Sequence, residues 1–499
     1  MKKNNVLNWI LIIIVALFAI SVVDKSFQND TFFDIPIGKY IIENGIDMMD
    51  HFTWHTELTY TYSHWIFGIV EALLYDSFGF WGIYILVLIL SCITAITIYI
   101  ILDKMVNDKI LSFILTMFTI YIGQGAFAAR AQVVTFWLFI LQFYCIEQLV
   151  KTNKNKYGII LFIIPIIIAN VHASVWIISF IFYFPYIAEF LIYNILKLLK
   201  EKGKIHINVT EKNNKLIIEK NNILKLIRVM ILTTVTGLLT PLGDVPYIFL
   251  QNNITGLSSQ YIAELQPLNI MQTGSILFMV SLYIGIIAFT KTKVKLTDAI
   301  YMLGFLLMTL AVYRSIFYLI FIGAFLLGRL LKSLLAEYNV NPFKDFEKLL
   351  NKPRNLVLFC FIFLAISAYN ILGKIAVQFV DVTSYPIQAT EYILKNIDIE
   401  NMRIYNSFNY GSYLELKGIK AFIDSRSEVY CEEFNDTEIL KDVIDVESGK
   451  VNYKEIFEKY GITHALILNS NVINVYIAED NDYKAIYHDD NFVIYEKLN

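Results

Sequence analysis

The sequence predicts a polytopic α-helical membrane protein of about eleven transmembrane helices, followed by a small C-terminal α/β domain. Three observations predict it. Of 499 residues, 57% are hydrophobic and only 17% charged, with a mean hydropathy of +0.55, which is more apolar than a soluble chain. Apolar runs of about 17–23 residues recur, long enough to cross ~30 Å of hydrocarbon as helices. Around Ala376 these runs stop and an ordinary soluble composition begins.

In order, the expected spans cover 6–23, 80–102, 110–127, 131–150, 157–171, 173–196, 223–240, 273–290, 297–313, 315–332 and 355–376. The first follows "MKKNN"; its apolar core is longer than a signal core and "AISVVDKSF" is a poor cleavage site, so it reads as an uncleaved anchor. Basic connections all fall on one parity: "DKMVNDK", "KTNKNK", the stretch with eight lysines from Lys197 to Lys225, "TKTKVK", and 329–354 with Arg329, Lys332, Lys344, Lys348, Lys352 and Arg354. The other parity holds 24–79, with Lys25 and Lys39 against nine acids, then "AARAQ", "NVHAS", 241–272 without Lys or Arg, and "YRS". The positive-inside rule makes the basic side cytoplasmic, together with the N-terminus, and puts 24–79 and 377–499 outside. A bacterial plasma membrane fits this pattern, and the Lys-, Asn- and Ile-rich usage points to a low-GC bacterium. The division is therefore 1–376, a membrane domain that includes the first outer loop 24–79, and 377–499, an extracytoplasmic α/β domain.

Within the first outer loop, Asp34 precedes "IPIGKYIIENG", with Pro36 in the first turn and Gly45 at the end, the pattern of a capped helix. A second amphipathic stretch, "YSHWIFGIVEALLYDSFG", carries Trp65 and Phe67 as interfacial aromatics. Two helices near the membrane surface are expected, with "MMDHFTWHTELTYT" between them. In the tail, "MRIYNSF", "KAFIDSR", "HALILN", "KAIYHDD" and "FVIYEKL" read as strands, and "DTEILKDVID" and "YKEIFEKYG" as helices, the second closed by Gly461.

Polar residues gathered at one set of span ends are the candidates for chemistry. The outer rim collects Asp30, Asp34, Asp50, His51, His55, His64, Arg130, His172, Asp244, Glu264 and Arg314. Carboxylates there can accept a proton or orient an acceptor, and arginines can hold phosphate with paired N–H donors. Each has a plainer role beside it: Asp34 as an N-cap, Asp30 as a solvated turn acid, Arg130 and Arg314 as snorkelling tip residues, His172 as a turn cap. His51 and His55 have the i, i+4 spacing of helical metal ligands, but the intervening "FTW" looks extended. Cys92, Cys145, Cys360 and Cys431 form no metal or disulfide pattern, and nothing indicates a nucleic-acid partner.

These residues resemble integral-membrane glycosyltransferases of the GT-C fold, and more closely an uncharacterised bacterial branch. The motifs are Asp30-Thr31-Phe32-Phe33-Asp34, the Gly38-Lys39-Tyr40-Ile41 helix to Gly45, "DHFTWHT", "SHWIFGIVEALLY", "RAQVVTFWLF", "ANVHAS", "LLTPLG", "IAELQP" and "YRSIFYLIFIGAFLL", then "NSFNYGSYL", "FIDSRSEVY", "YGITHALIL" and "IYHDDNFVIYEK" in the tail. They cover nearly the whole chain in order. Asp34 stands where the branch commonly has His, and Thr240-Pro241 where it has Asn-Pro. The resemblance implies a transferase using a polyprenyl-phosphate-linked sugar at the outer face. Asp30 then matches the essential loop acid, with Asp34 beside it; Arg130 and Arg314 would bind the donor phosphate. His51, His55, His64, His172 and Glu264 would bind acceptor or sugar. Mg or Mn bridging Asp30 and phosphate, and metal-independent chemistry, fit equally, so the metal and the acceptor stay open. A polysaccharide polymerase or ligase using a lipid-linked oligosaccharide is a second class. A non-catalytic lipid or sugar transporter is a third, although it would place charges deep within spans.

Overall fold

The computed structural model describes residues 2–202, 220–256, 258–269 and 274–498, so much of the lysine-rich stretch between Lys197 and Lys225 lies outside the described residues. The chain is mainly helical. It opens with α1 (Lys2–Val22), α2 (Asn29–Asn44), α3 (Trp65–Phe78), α4 (Phe80–Val106), α5 (Lys109–Ile122), α6 (Gln132–Thr152), α7 (Asn155–Val171), α8 (Phe184–Glu201) and α9 (Lys220–Thr233). Four more apolar helices follow at Gly274–Phe289, Leu296–Ala311, Ile316–Glu337 and Pro353–Lys374. Among the described residues five helical stretches are long and apolar enough to cross a membrane: Phe80–Val106, Gln132–Thr152, Ala173–Glu201, Tyr313–Glu337 and Pro353–Lys374. Five further apolar helices are shorter. The span expected at 223–240 belongs to neither group, because α9 carries Lys220, Lys225 and Arg228 among its apolar residues and ends at Thr233. The chain is a multi-pass membrane protein.

Residues 1–24, 85–247 and 263–375 form a helical unit, and residues 25–84, 248–262 and 376–499 a sheet-bearing unit. The first loop, expected within the membrane domain, thus shares a compact unit with the C-terminal segment. In the helical unit, Lys374 donates to the carbonyls of Ser21 at 2.9 Å and Val23 at 2.6 Å, supplying cationic donors at the C-terminal end of α1 where carbonyls lack intrahelical partners. Arg329, expected in a basic loop, instead lies inside the helix Ile316–Glu337. It is buried, with Glu147 at 2.8 Å and Asp298 at 2.6 Å. Burial of a charge requires such partners, so Arg329 is spent on helix packing rather than on orientation.

The sheet-bearing unit has strands β1 (Ile404–Tyr405), β2 (His464–Leu468), β3 (Tyr483–His488) and β4 (Phe492–Lys497) in the order β1-β2-β4-β3. β1 runs parallel to β2, pairing Ile404 with His464; the other pairs are antiparallel. The expected helices appear at Ile439–Glu447 and Tyr453–Tyr460, the latter closed by Gly461 at φ 64°. "KAFIDSR" forms no strand: it makes one isolated parallel bridge from Ala421 to Thr53. The reason lies in Arg426, which is fully buried and turned inward. Its guanidinium donates to Asp50 at 2.7 Å and Glu415 at 2.9 Å, and to Asp424. Tyr60 lies 4.8 Å and Phe52 5.3 Å from its carbon, within cation–π range. Trp54 Nε1 donates to the Ile404 carbonyl at 3.0 Å. "DHFTW" and "FIDSR" are thereby two halves of one core.

Candidate functional site

Helices α2 and α3 are the most closely packed pair in the sheet-bearing unit. Two glycines make this approach feasible: a Cβ on Gly38 would sit 2.0 Å from the Gly68 carbonyl oxygen, and one on Gly68 would sit 3.0 Å from that of Asp34. The contact brings four titratable side chains together. Asp30 lies in the first turn of α2, where a carboxylate meets the positive end of the helix. Asp34 follows one turn later on the same face and is 1% exposed. The N-cap expected of Asp34 is therefore corrected: α2 begins at Asn29 after Gln28, and Pro36 is inside it rather than in its first turn. His64, the N-cap position of α3, puts Nδ1 3.6 Å from Asp34 Oδ2.

Glu71 was not singled out by sequence, yet it completes this group. It is 0% exposed, and neither carboxylate oxygen has a hydrogen-bond partner among the described residues. Burial, reinforced by the charges of Asp34 and Asp30, pushes its carboxyl well above the usual range, because both disfavour the charged form. The clue in the sequence was its place three residues after Gly68, on the face that meets α2.

The remaining candidates of this unit lie elsewhere within it. His51 accepts or donates at 2.7 Å with Asp47 and 2.8 Å with Tyr40, whose ring stacks on it. Asp47 is held at about 2: burial acts upward, but hydrogen bonds from Tyr40, the Met49 amide and His51 outweigh it. His55 Nε2 donates to the Phe422 carbonyl at 2.8 Å, and burial lowers its pKa, leaving a neutral ring fixed to the core. The segment between them is not helical: Phe52 and Trp54 lie in bends on either side of the Thr53 bridge. Among the described residues no three His, Cys, Asp or Glu side chains converge as metal ligands.

The helical unit carries the second cluster. Arg130 immediately precedes α6, and Arg314 sits in the turn Tyr313–Ser315 that opens the next helix. Glu264 joins them, with Arg130 Nη1 at 3.0 Å and Arg314 Nε at 3.8 Å. Its backbone segment is held by Tyr313 N–H to the Gln266 carbonyl at 2.8 Å. Burial acts to raise the Glu264 carboxyl, but the two guanidinium charges outweigh it and hold it below the usual range. Gln132, with its amide oxygen turned to the arginine, accepts from Arg314 Nε at 2.7 Å. His172 ends α7, is buried, and lies 3.4 Å from Thr135 on the first turn of α6. Two cations on one carboxylate leave a net positive charge with forked donors, which suits a phosphate.

No protein-family model and no curated protein matches the chain. Solved structures do. The oligosaccharyltransferase of Archaeoglobus fulgidus in its apo form superposes with a TM-score of 0.57 at 11% identity, over 92% of this chain and 69% of that one. ArnT of Cupriavidus metallidurans superposes bound to undecaprenyl phosphate, with a TM-score of 0.53 at 10% identity over 98% of this chain and 97% of that one. Its apo state gives 0.55 at 9% identity, over 99% and 98%. Helical architecture, small C-terminal sheet and these neighbours agree: the chain has the GT-C fold of integral-membrane glycosyltransferases.

Proposed function

We propose that this protein is a glycosyltransferase that moves a sugar from a polyprenyl-phosphate-linked donor to an acceptor at the extracytoplasmic face of a bacterial plasma membrane, with the N-terminus cytoplasmic and 377–499 outside. The observation that carries the reading is the convergence of Arg130 and Arg314 on Glu264 in a chain of this fold. In the reaction the acceptor oxygen forms a bond to the anomeric carbon while the bond from that carbon to the phosphate oxygen breaks. The acceptor proton goes to a carboxylate, and polyprenyl phosphate leaves with the electron pair.

Asp30 is the proposed base or acceptor-orienting acid. It is half-buried at the start of α2, so acceptor can reach it, whereas Asp34 behind it is buried. Asp34, His64 and Glu71 would set the local charge. Arg130 and Arg314 are the proposed donor-phosphate ligands, stabilising charge that grows on the leaving phosphate. Glu264 holds the two arginines together, and His51 and His172 remain candidates for sugar or acceptor contacts. No step is routed through a metal.

The test is consumption of a polyprenyl-phosphate sugar by membranes carrying each variant at matched expression. Asp30→Asn keeps size and hydrogen bonding but removes basicity, and should lower turnover by ~10²–10⁴-fold while donor binding persists. Turnover equal to wild type would remove Asp30 from the chemistry.

A further inference from the structure

The helix Pro342–Leu350 connects two of the membrane-length helices, Tyr313–Glu337 and Pro353–Lys374. Asn341 caps it by accepting from the Lys344 amide, and Pro342 occupies its first turn, a favourable start because proline has no amide to leave unpaired. Pro342, Phe343, Phe346, Leu349 and Leu350 recur at helical steps and share one face, while Lys344, Asp345, Glu347 and Lys348 share the other. One edge of the apolar face is used internally: Leu350 is buried, and the Phe346 ring lies 6.2 Å from that of Phe359. Phe343 is half-buried, while Phe346 is 40% and Leu349 49% exposed, and Tyr338 and Val340 just before the helix are more than half exposed.

Chain continuity decides what covers this face. The ends of two membrane-length helices lie at the boundary between lipid and water, and short turns tie this helix to both. An amphipathic helix held there lies along the headgroups with its apolar side in the acyl boundary. Charge selects the lipid. Lys344, Lys348, Lys352 and Arg354 outnumber Asp345 and Glu347, and the neutralising contact of Lys348 with Asp345 at 2.8 Å is exposed to screening. We propose that Pro342–Leu350 is an interfacial anchor that takes anionic phospholipid headgroups, with Phe346 and Leu349 in the acyl boundary and Lys344, Lys352 and Arg354 toward the phosphates. This anchor is independent of the transferase reading.

The experiment places an environment-sensitive fluorophore on Leu349→Cys in the full-length protein, with Cys92 and Cys360 replaced by Ser, in vesicles of phosphatidylcholine alone or with phosphatidylglycerol. Emission should be blue-shifted and quenched by brominated lipid, more so with phosphatidylglycerol, whereas the label on Glu347→Cys should stay water-like. The variant Lys344→Gln/Lys348→Gln/Lys352→Gln should lose the phosphatidylglycerol dependence. Water-like, unquenched emission at Leu349 in both vesicles would overturn the anchor, as would shielding without quenching, which would mean a second copy or another protein on that face. Equal quenching in both vesicles would overturn the selection of anionic headgroups.

Discussion

Replacing Arg426 by leucine is the sharpest perturbation of the sheet-bearing unit. The guanidinium makes hydrogen bonds to Asp50, Asp424 and Glu415, all with side chains 0% exposed. Burial raises the Glu415 carboxyl well above its usual range, while Asp424 is held low because the Arg426 charge outweighs burial. Wild type therefore sets one cation among three buried carboxyls, with burial favouring the neutral form of Glu415. Arg426→Leu strands the remaining charge in the core. Stranding a buried charge costs ~3–5 kcal/mol, close to the ~4 kcal/mol needed to protonate one ordinary aspartate at pH 7. For a unit of this size the expected fall in Tm is ~6–20 °C. Arg426→Lys should recover part of it, since one ammonium cannot fork to three acceptors. Asp424, being depressed, contributes stability above the ordinary aspartate range that is lost as pH falls through its native value. Glu415, being raised, contributes stability below the ordinary glutamate range that is lost as pH rises toward its native value. In Arg426→Leu the stranded carboxylates protonate for ~1.4 kcal/mol less per unit of acidification, so its deficit should shrink from pH 7.5 to pH 5. The readout is thermal unfolding of the full-length protein in nanodiscs at both pH values. A Tm within ~2 °C of wild type, or a deficit unchanged by pH, would refute the reasoning.

Arg130→Ala or Arg314→Ala should weaken donor use by ~1.5–3 kcal/mol, the worth of a charge-assisted hydrogen bond, with partial rescue by lysine; turnover against donor concentration measures it, and two normal alanine variants would remove both arginines from the phosphate. Gly38→Ala should cost ~1–3 kcal/mol by forcing α2 from α3, since its Cβ meets backbone at 2.0 Å, whereas Gly285→Ala, with nothing within 4 Å, should not destabilise; Tm of the two variants decides it. Cysteines at Thr56 and Ser448, both exposed, should react alike with an impermeant maleimide in intact cells, and labelling of only one would break the proposed topology.

Much of the fold was legible because hydrophobic run length is a local property. Each apolar run became helical, and the tail alternation gave β2, β3 and β4 nearly where expected. The misreadings came where tertiary partners override local signals. "DIP" carries the signature of a helix start, but α2 begins earlier and encloses Pro36, so Asp34 becomes a buried mid-helix acid. "FIDSR" alternates like a strand, but Arg426 is drawn to Asp50, hundreds of residues away, and the segment abandons the ladder. Arg329 looked like a loop cation because its partners Glu147 and Asp298 lie on other helices. The candidate arginines and Glu264 were visible as polar residues at span ends; their mutual contact was not, because sequence carries no distance between 130, 264 and 314.

Two groups of acids in the sheet-bearing unit are buried in opposite ways. Around Arg426 the acids surround a cation whose nitrogens donate to them, and Tyr430 also donates to Asp424. Such a cluster spends its acids on one cation and fastens "DHFTW" to the tail. Glu71, by contrast, has neither oxygen bonded, and its electrostatic neighbours Asp34 and Asp30 oppose its ionisation. A carboxyl buried that way costs stability with no local return. Asp30, in the same group, is half-buried where Asp34 and Glu71 are buried. Burial and the neighbouring charges disfavour another negative charge in that group. The acid that the sequence did not single out thus has surroundings that disfavour a second charge beside the acid it did single out.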